Sequence, residues 1–151
     1  MFDLQETPAV GTTLRVLGTP VTYRLTARET GGGYFLFESA VPLGEGMLPH
    51  RHPLESELFY LLEGRLTFRL EDEVFVLEAG QTVFVPRGAV HAFQNTGSAP
   101  ARLLTLASPG YLHEGFFAEV GVAVDAPKTP LELEKIVQTA AKYQIEMLPL
   151  A

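Results

Sequence analysis

The stretch Gly44-Glu45-Gly46-Met47-Leu48-Pro49-His50-Arg51-His52-Pro53-Leu54-Glu55-Ser56-Glu57-Leu58-Phe59-Tyr60-Leu61-Leu62-Glu63-Gly64 holds two of the chain's four histidines, one residue apart. In extended backbone, alternate side chains share a face with Cα atoms about 6.5–7 Å apart. The His50 and His52 imidazoles can therefore converge on one ion while Arg51 points the opposite way. Glu57 opens the apolar run that follows, and Glu55 shares its parity, so two carboxylates compete for a place beside the histidines. A second stretch, Gly80-Gln81-Thr82-Val83-Phe84-Val85-Pro86-Arg87-Gly88-Ala89-Val90-His91-Ala92-Phe93-Gln94-Asn95, puts His91 at the head of another apolar run, behind a Pro-x-Gly reversal. Three neutral imidazoles and a carboxylate, with no cysteine in the chain, make a hard-to-borderline ligand set. Such a set suits one divalent transition metal per chain: Fe, Mn, Ni, Co, Cu or Zn.

Outward from these stretches, short runs rich in β-branched and aromatic residues are punctuated by glycine and proline, the pattern of strands. Strands are expected near Thr12–Leu17, Val21–Ala27, Tyr34–Val41, Glu57–Leu62, Arg65–Leu70, Glu73–Leu77, Thr82–Val85, Val90–Asn95 and Arg102–Ala107. Glu63-Gly64 and Glu71-Asp72 are candidate tight hairpins, and Ala79-Gly80 and Pro86-Arg87-Gly88 are longer reversals. Strands at this density predict an all-β sandwich or barrel. The period changes after Ser108-Pro109-Gly110. Leu112, Phe116, Phe117 and Val120 stand at helical spacing in Tyr111–Val120, with Gly121 as the stop. After a linker at Val122–Lys128, Thr129-Pro130-Leu131-Glu132 reads as a capping box. The helix it opens is expected to reach Tyr143 and to bury Leu133, Ile136, Val137 and Ala140. The organisation expected is one domain over 1–151, with a β core at about 34–107 and a helical extension at about 111–151.

A chain of 151 residues buries enough surface to fold without a staple or a metal, so a metal site would be functional. With 46% apolar and 19% charged residues, it does not have the composition of a disordered chain. Eleven basic against eighteen acidic side chains give −7, which repels phosphate backbones and anionic lipid. No nucleic acid or membrane partner is expected. The opening MFDLQETPAV carries Asp3 and Glu6 in place of a basic leader, and no run of about 18 apolar residues follows. A cytoplasmic location is the expectation.

Gly44-x5-His50-x-His52-x4-Glu57-x6-Gly64 resembles the first motif of the cupin superfamily, and Gly80-x5-Pro86-x-Gly88-x2-His91-x3-Asn95 resembles the second. Fifteen residues separate them, as in small microbial cupins. The flanks Glu29-Thr30-Gly31-Gly32 and Ser108-Pro109-Gly110 through Phe116-Phe117, with the tail Ala141–Glu146, are similar to single-domain cupins of the quercetin 2,3-dioxygenase type. The resemblance implies a small jelly-roll barrel with short C-terminal helices and an interior metal held by His50, His52, Glu57 and His91. On motif spacing Glu57 is favoured over Glu55. A homodimer is also implied, with the N-terminal strands and last helix available for the contact.

Taken singly, each histidine reads as an ordinary hydrogen-bonded core residue; jointly the three, with Glu57, read as ligands. Gly and Pro in the motifs are turn residues, Asn95 ties down a loop, and His113 reads as a surface or packing residue. Phe35, Phe37, Phe59, Phe68, Phe75, Phe84 and Phe93 are core by default. Parity with Glu57 directs Phe59 and Leu61 inward, and parity with His91 directs Phe93 inward, unless a bulge intervenes. These three are the expected substrate pocket. An apolar pocket with few basic residues suits an enolisable aromatic better than a sugar phosphate. The expected function is a metal-dependent dioxygenase for a flavonol-like or other enolisable aromatic substrate, with Glu57 also the base for the hydroxyl proton, the role of its counterpart in the enzymes it resembles. The alternatives are a non-catalytic small-molecule binding module and, behind it, a metal-dependent isomerase.

Overall fold

The computed structural model describes residues 7–148; Asp3, Glu6 and the last three positions of the expected 111–151 extension lie outside them. Eleven strands are described: β1 Thr13–Val16, β2 Thr19–Leu25, β3 Phe35–Val41, β4 Gly46–Arg51, β5 Ser56–Glu63, β6 Arg65–Leu70, β7 Glu73–Glu78, β8 Thr82–Val85, β9 His91–Gln94, β10 Ala101–Ser108 and β11 Glu146–Met147. Two helices, α1 Tyr111–Val120 and α2 Glu132–Ala140, precede β11. One sheet has the order β1-β2-β3-β10-β5-β8 and the other β11-β4-β9-β6-β7, so the chain alternates between two facing layers as a jelly roll does. No helix among the described residues is long and apolar enough to cross a membrane.

Inward-facing residues form two apolar clusters. Val41, Leu61, Leu66, Phe68, Leu77, Val83 and Leu103 pack together at one end of the sandwich. Tyr23, Phe35 and Phe37 meet Phe116, Phe117, Ile136 and Ile145 at the other, where the helices cover the sheets. Alternation explains the first cluster: β10 buries every second side chain from Ala101 to Ala107. Asn95 is buried and holds the loop after β9, its amide donating to the Val41 and Ala99 carbonyls and its oxygen accepting from the Gly97 N–H.

Four expectations are corrected. Glu63-Gly64 is not a hairpin: β5 pairs with β10 and β8 while β6 pairs with β7 and β9, so the turn carries the chain from one sheet to the other. Glu71-Asp72 does close the β6–β7 hairpin. The capping box does not form, because the Glu132 carboxylate turns to the buried Arg15 guanidinium at 2.5 Å and α2 begins at Glu132. Of the face predicted for α2, Ile136 and Ala140 are buried, but Leu133 and Val137 are 44% and 48% exposed, since only one narrow edge of this short helix meets the barrel. Phe84 is 58% exposed, because β8 is a sheet edge and Phe84, beside Leu58, faces outward.

Candidate metal centre

The local structure of β4 decides where its histidines point. Met47 pairs with Phe93 and His50 pairs with His91, three steps along β4 against two along β9. The extra residue is a bulge at Leu48-Pro49, where proline has no ladder hydrogen bond to lose. Strict alternation from the cavity-facing Met47 would send Pro49 and Arg51 inward. The bulge reverses the phase, so His50 and His52 face the interior and Arg51 meets Glu146 outside. Gly46 is required at the start of this strand: a Cβ there would stand 2.0 Å from the Phe93 carbonyl oxygen. Gly88, at φ 81°, donates its N–H to the His52 carbonyl at 2.9 Å and so ties the second motif to the first.

His50, His52, Glu57 and His91 are between 1% and 6% exposed and offer donor atoms within 4.8 Å of one another. The His50 and His91 ring centroids are 4.2 Å apart, a consequence of their direct cross-strand pairing. Glu57 Oε1 lies 2.8 Å from His52 Nε2 and 3.3 Å from His91 Nε2. Two donors about 2.1 Å from a shared ion at neighbouring positions would stand roughly 3.0 Å apart, so these separations suit a common ion.

The hydrogen bonds sort the ring nitrogens. His50 Nδ1 is 2.7 Å from the Leu48 carbonyl and His91 Nδ1 is 3.1 Å from that of Ala89. His52 Nδ1 faces the buried Glu55 carboxylate at 3.4 Å, an ion-pair separation without hydrogen-bond geometry. An N–H at each Nδ1 leaves the Nε2 lone pairs free, the arrangement in which outer groups orient imidazole ligands. His52 Nε2, His91 Nε2 and Glu57 Oε1 are buried with no hydrogen-bond partner. Orphaned buried polar atoms are costly, and a cation at their common focus would satisfy all three. The residues fit a metal.

Electrostatics supports the same conclusion. Burial, reinforced by His91 and His52, pushes His50 well below its ordinary value and keeps it neutral. Burial opposes charge on His52 too, but the Glu57 and Glu55 carboxylates outweigh it and raise this imidazole to about 10. Glu57 is held well below the usual carboxylate range by His52 and His91, against burial, whereas burial raises Glu55. An imidazolium at His52 thus balances Glu57, and a bound dication would take over that balance and release the proton.

The cluster opens on a cavity of about 40 Å³ walled by aromatic and aliphatic side chains, with no Lys or Arg among its described lining residues. Phe59 and Phe93 line it. Leu61 does not; two steps farther along β5, it packs in the apolar cluster beneath. Ile136 of α2, Ile145 just before β11 and Met147 of β11 roof the cavity. A larger outer groove of about 560 Å³ adjoins it through shared walls at Leu17, Gly46, Met47 and Phe93. His113 is buried against Phe35, Phe37 and Phe117 and stacks on the His52 ring at 5.0 Å, which places it in the site and not on the surface. Burial pushes its imidazole down to about 3, so it is neutral. Glu55 accepts the His113 backbone N–H at 3.3 Å, so it sits behind His52 and not among the four converging donors.

A family model described as "Cupin domain" matches residues 37–107. The chain is 36% identical over 99 residues to the polyketide synthase CurC of Streptomyces cyaneus, covering 66% of this chain and 60% of that one. It is 28% identical over 138 residues to the quercetin 2,3-dioxygenase of Bacillus subtilis, covering 90% of this chain and 40% of that one. The chain therefore spans less than two thirds of these relatives. Among solved structures, an RmlC-like cupin from Shewanella frigidimarina superposes with a TM-score of 0.57 at 18% identity, over 70% of this chain and 86% of that one, a likeness of fold.

Proposed function

We propose that the chain, whose residues 37–107 match a cupin-domain model, is a cupin and a metal-dependent dioxygenase acting on a neutral, enolisable aromatic molecule. The observation that carries this reading is the convergence of four buried donors, three of their ligating atoms without partners, with His50, His52 and Glu57 on the wall of an apolar cavity that no Lys or Arg among the described residues lines. His50, His52 and His91 through Nε2, with Glu57, would hold the ion. A bound transition metal supplies Lewis-acid and redox chemistry at that point. The protein's own contribution is to position and to dry the site. Phe59 and Phe93 flank the cluster, and apolar walls exclude water while offering no Lys or Arg to clamp a phosphate. Glu57 is held as the carboxylate, the form able to receive a hydroxyl proton from a substrate beside it.

Similarity to CurC and to the quercetin dioxygenase supports an aromatic or polyketide-like substrate. The test is oxygen consumption with a panel of flavonols on protein loaded with Fe, Mn, Ni or Co. Turnover with one of them is expected, and none with any would overturn the reading. The roofed cavity favours a second one, retention of a small molecule without reaction, distinguished by recovery of the ligand unchanged. A homodimer remains part of the proposal; sedimentation equilibrium showing only monomer at micromolar concentration would remove it.

A further inference from the structure

One polar group in the cavity has no role in holding the cluster. His113 Nδ1, in the first turn of α1, is buried without a hydrogen-bond partner. Its ring stands among Phe35, Phe37 and Phe117, 4.6–5.9 Å from each by ring centroid, an aromatic nest in which a phenylalanine would pack at no polar cost. An orphaned nitrogen there is a standing penalty. The position is nevertheless tightly defined. The His113 N–H bonds to Glu55, the same carboxylate faces His52 Nδ1, and the two imidazole planes lie within 19° of parallel. His113 lines the same cavity as His50, His52 and Glu57. Thr105 Oγ1, on the β10 part of the wall, is likewise buried and unpartnered, so the cavity offers neutral hydrogen-bonding groups and no charged one beyond the cluster and its carboxylate.

We propose that His113 is a substrate-binding residue, its Nδ1 hydrogen-bonding a second oxygen of a neutral aromatic substrate whose first oxygen meets the His50, His52, Glu57 and His91 cluster. The inference rests on the metal-site reading above and narrows its substrate to molecules with two oxygen functions on or near one ring. A neutral imidazole accepts or donates at Nδ1 according to tautomer, so it serves either a hydroxyl or a carbonyl. A phosphate or carboxylate would find no counter-charge on that side of the cavity.

The probes are phenol, catechol, resorcinol and hydroquinone, titrated into Co-loaded protein and followed by the visible spectrum of the metal and by calorimetry. At least one dihydroxybenzene is expected to bind about tenfold tighter than phenol, the value of one hydrogen bond in a dry site. In His113→Phe that preference disappears while phenol affinity and cobalt content stay unchanged, and His113→Asn, which keeps a hydrogen-bonding atom near the Nδ1 position, restores part of it. Metal-free His113→Phe is expected to melt at or above the wild-type temperature, since it removes an orphan; a residue kept for packing alone would melt lower. Equal binding of all four probes, or an unchanged preference in His113→Phe, overturns this inference alone. Failure of every probe to perturb a fully loaded protein overturns both it and the aromatic-substrate reading.

Discussion

Metal loading should stabilise the folded chain, and His91→Ala should abolish that stabilisation. The donors come from β4 and the turn after it, β5 and β9, with His50 and His91 more than forty positions apart, so the unfolded chain offers no comparable site. In the folded state three of the donor atoms lack partners. A ligand that binds only the native state adds RT ln(1 + [L]/Kd), or about 2.7 kcal/mol at a hundredfold excess over Kd. For a chain of this size each kcal/mol moves the melting temperature by about 2–4 °C, so the expected rise is roughly 5–11 °C. His91→Ala removes a ligand and leaves a void where a side chain is 1% exposed, so its absolute stability changes as well. The informative quantity is therefore the difference between loaded and metal-free protein within each variant, in which the void cancels. Thermal melts with and without Fe, Mn, Co, Ni, Cu or Zn, alongside elemental analysis, measure it. No shift with any of the six metals, or the same shift in His91→Ala as in wild type, would refute the four-donor site.

Glu55→Gln weakens the hold on His52 Nδ1 without touching the four donors, so metal affinity should fall about 10–100-fold in chelator competition with the fold intact. Arg15→Ala strips donors from the Leu17, Val124 and Ala126 carbonyls and leaves Glu132 unpaired, a loss of about 2–4 kcal/mol in urea unfolding. Arg65→Ala, which breaks only an exposed pair with Glu78, should cost less than about 1 kcal/mol. Glu114 is buried on α1, accepts one N–H from Ala27, and is pushed by burial from 4.5 up to about 7. The folded state then holds a proton that the unfolded state releases above 4.5, so this contribution is complete below 4.5 and is lost as pH rises through about 7. Screening brings it to on the order of 1–2 kcal/mol, and Glu114→Gln should flatten that part of the stability–pH curve.

The four donors were legible in the sequence because their signal is local. The period of two brings His50 and His52 to one side, and motif spacing separates Glu57 from Glu55, which the structure places behind His52. What failed was long-range. Nothing in Leu48-Pro49 announces a bulge, yet it gives the histidines their direction; the same alternation without it would have buried Arg51. Glu63-Gly64 has the composition of a hairpin, but which sheet a strand joins is settled by partners far along the chain. Leu61 shares parity with Glu57, but parity does not say how far along the strand the cavity ends. Glu132 satisfied the pattern of a capping box until Arg15, from β1, offered a stronger partner. His113 lies outside both motifs, and only the docking of α1 against the barrel brings its ring onto His52.

The two apolar clusters determine how anything reaches the site. Leu61, Leu66, Phe68, Val83 and Leu103 seal one end with strands locked into both sheets, and opening there would break ladders that hold β5, β6 and β10 in register. The other end is roofed by Ile136, Ile145 and Met147, carried by a nine-residue helix, the connection that follows it and a two-residue strand, with Arg15 anchoring the segment before them. A cavity of about 40 Å³ is several-fold below the roughly 300 Å³ at which pockets for drug-sized ligands begin, so the aromatic substrate proposed above would require one wall to yield. The roof has fewer hydrogen bonds to lose than the sealed end, and local opening follows the lowest free energy. The outer groove meets the cavity at Met47 and Phe93, beside that roof. Entry of that proposed substrate is expected at the helical end, with the four side chains held on β4 and the turn after it, β5 and β9, which need not move.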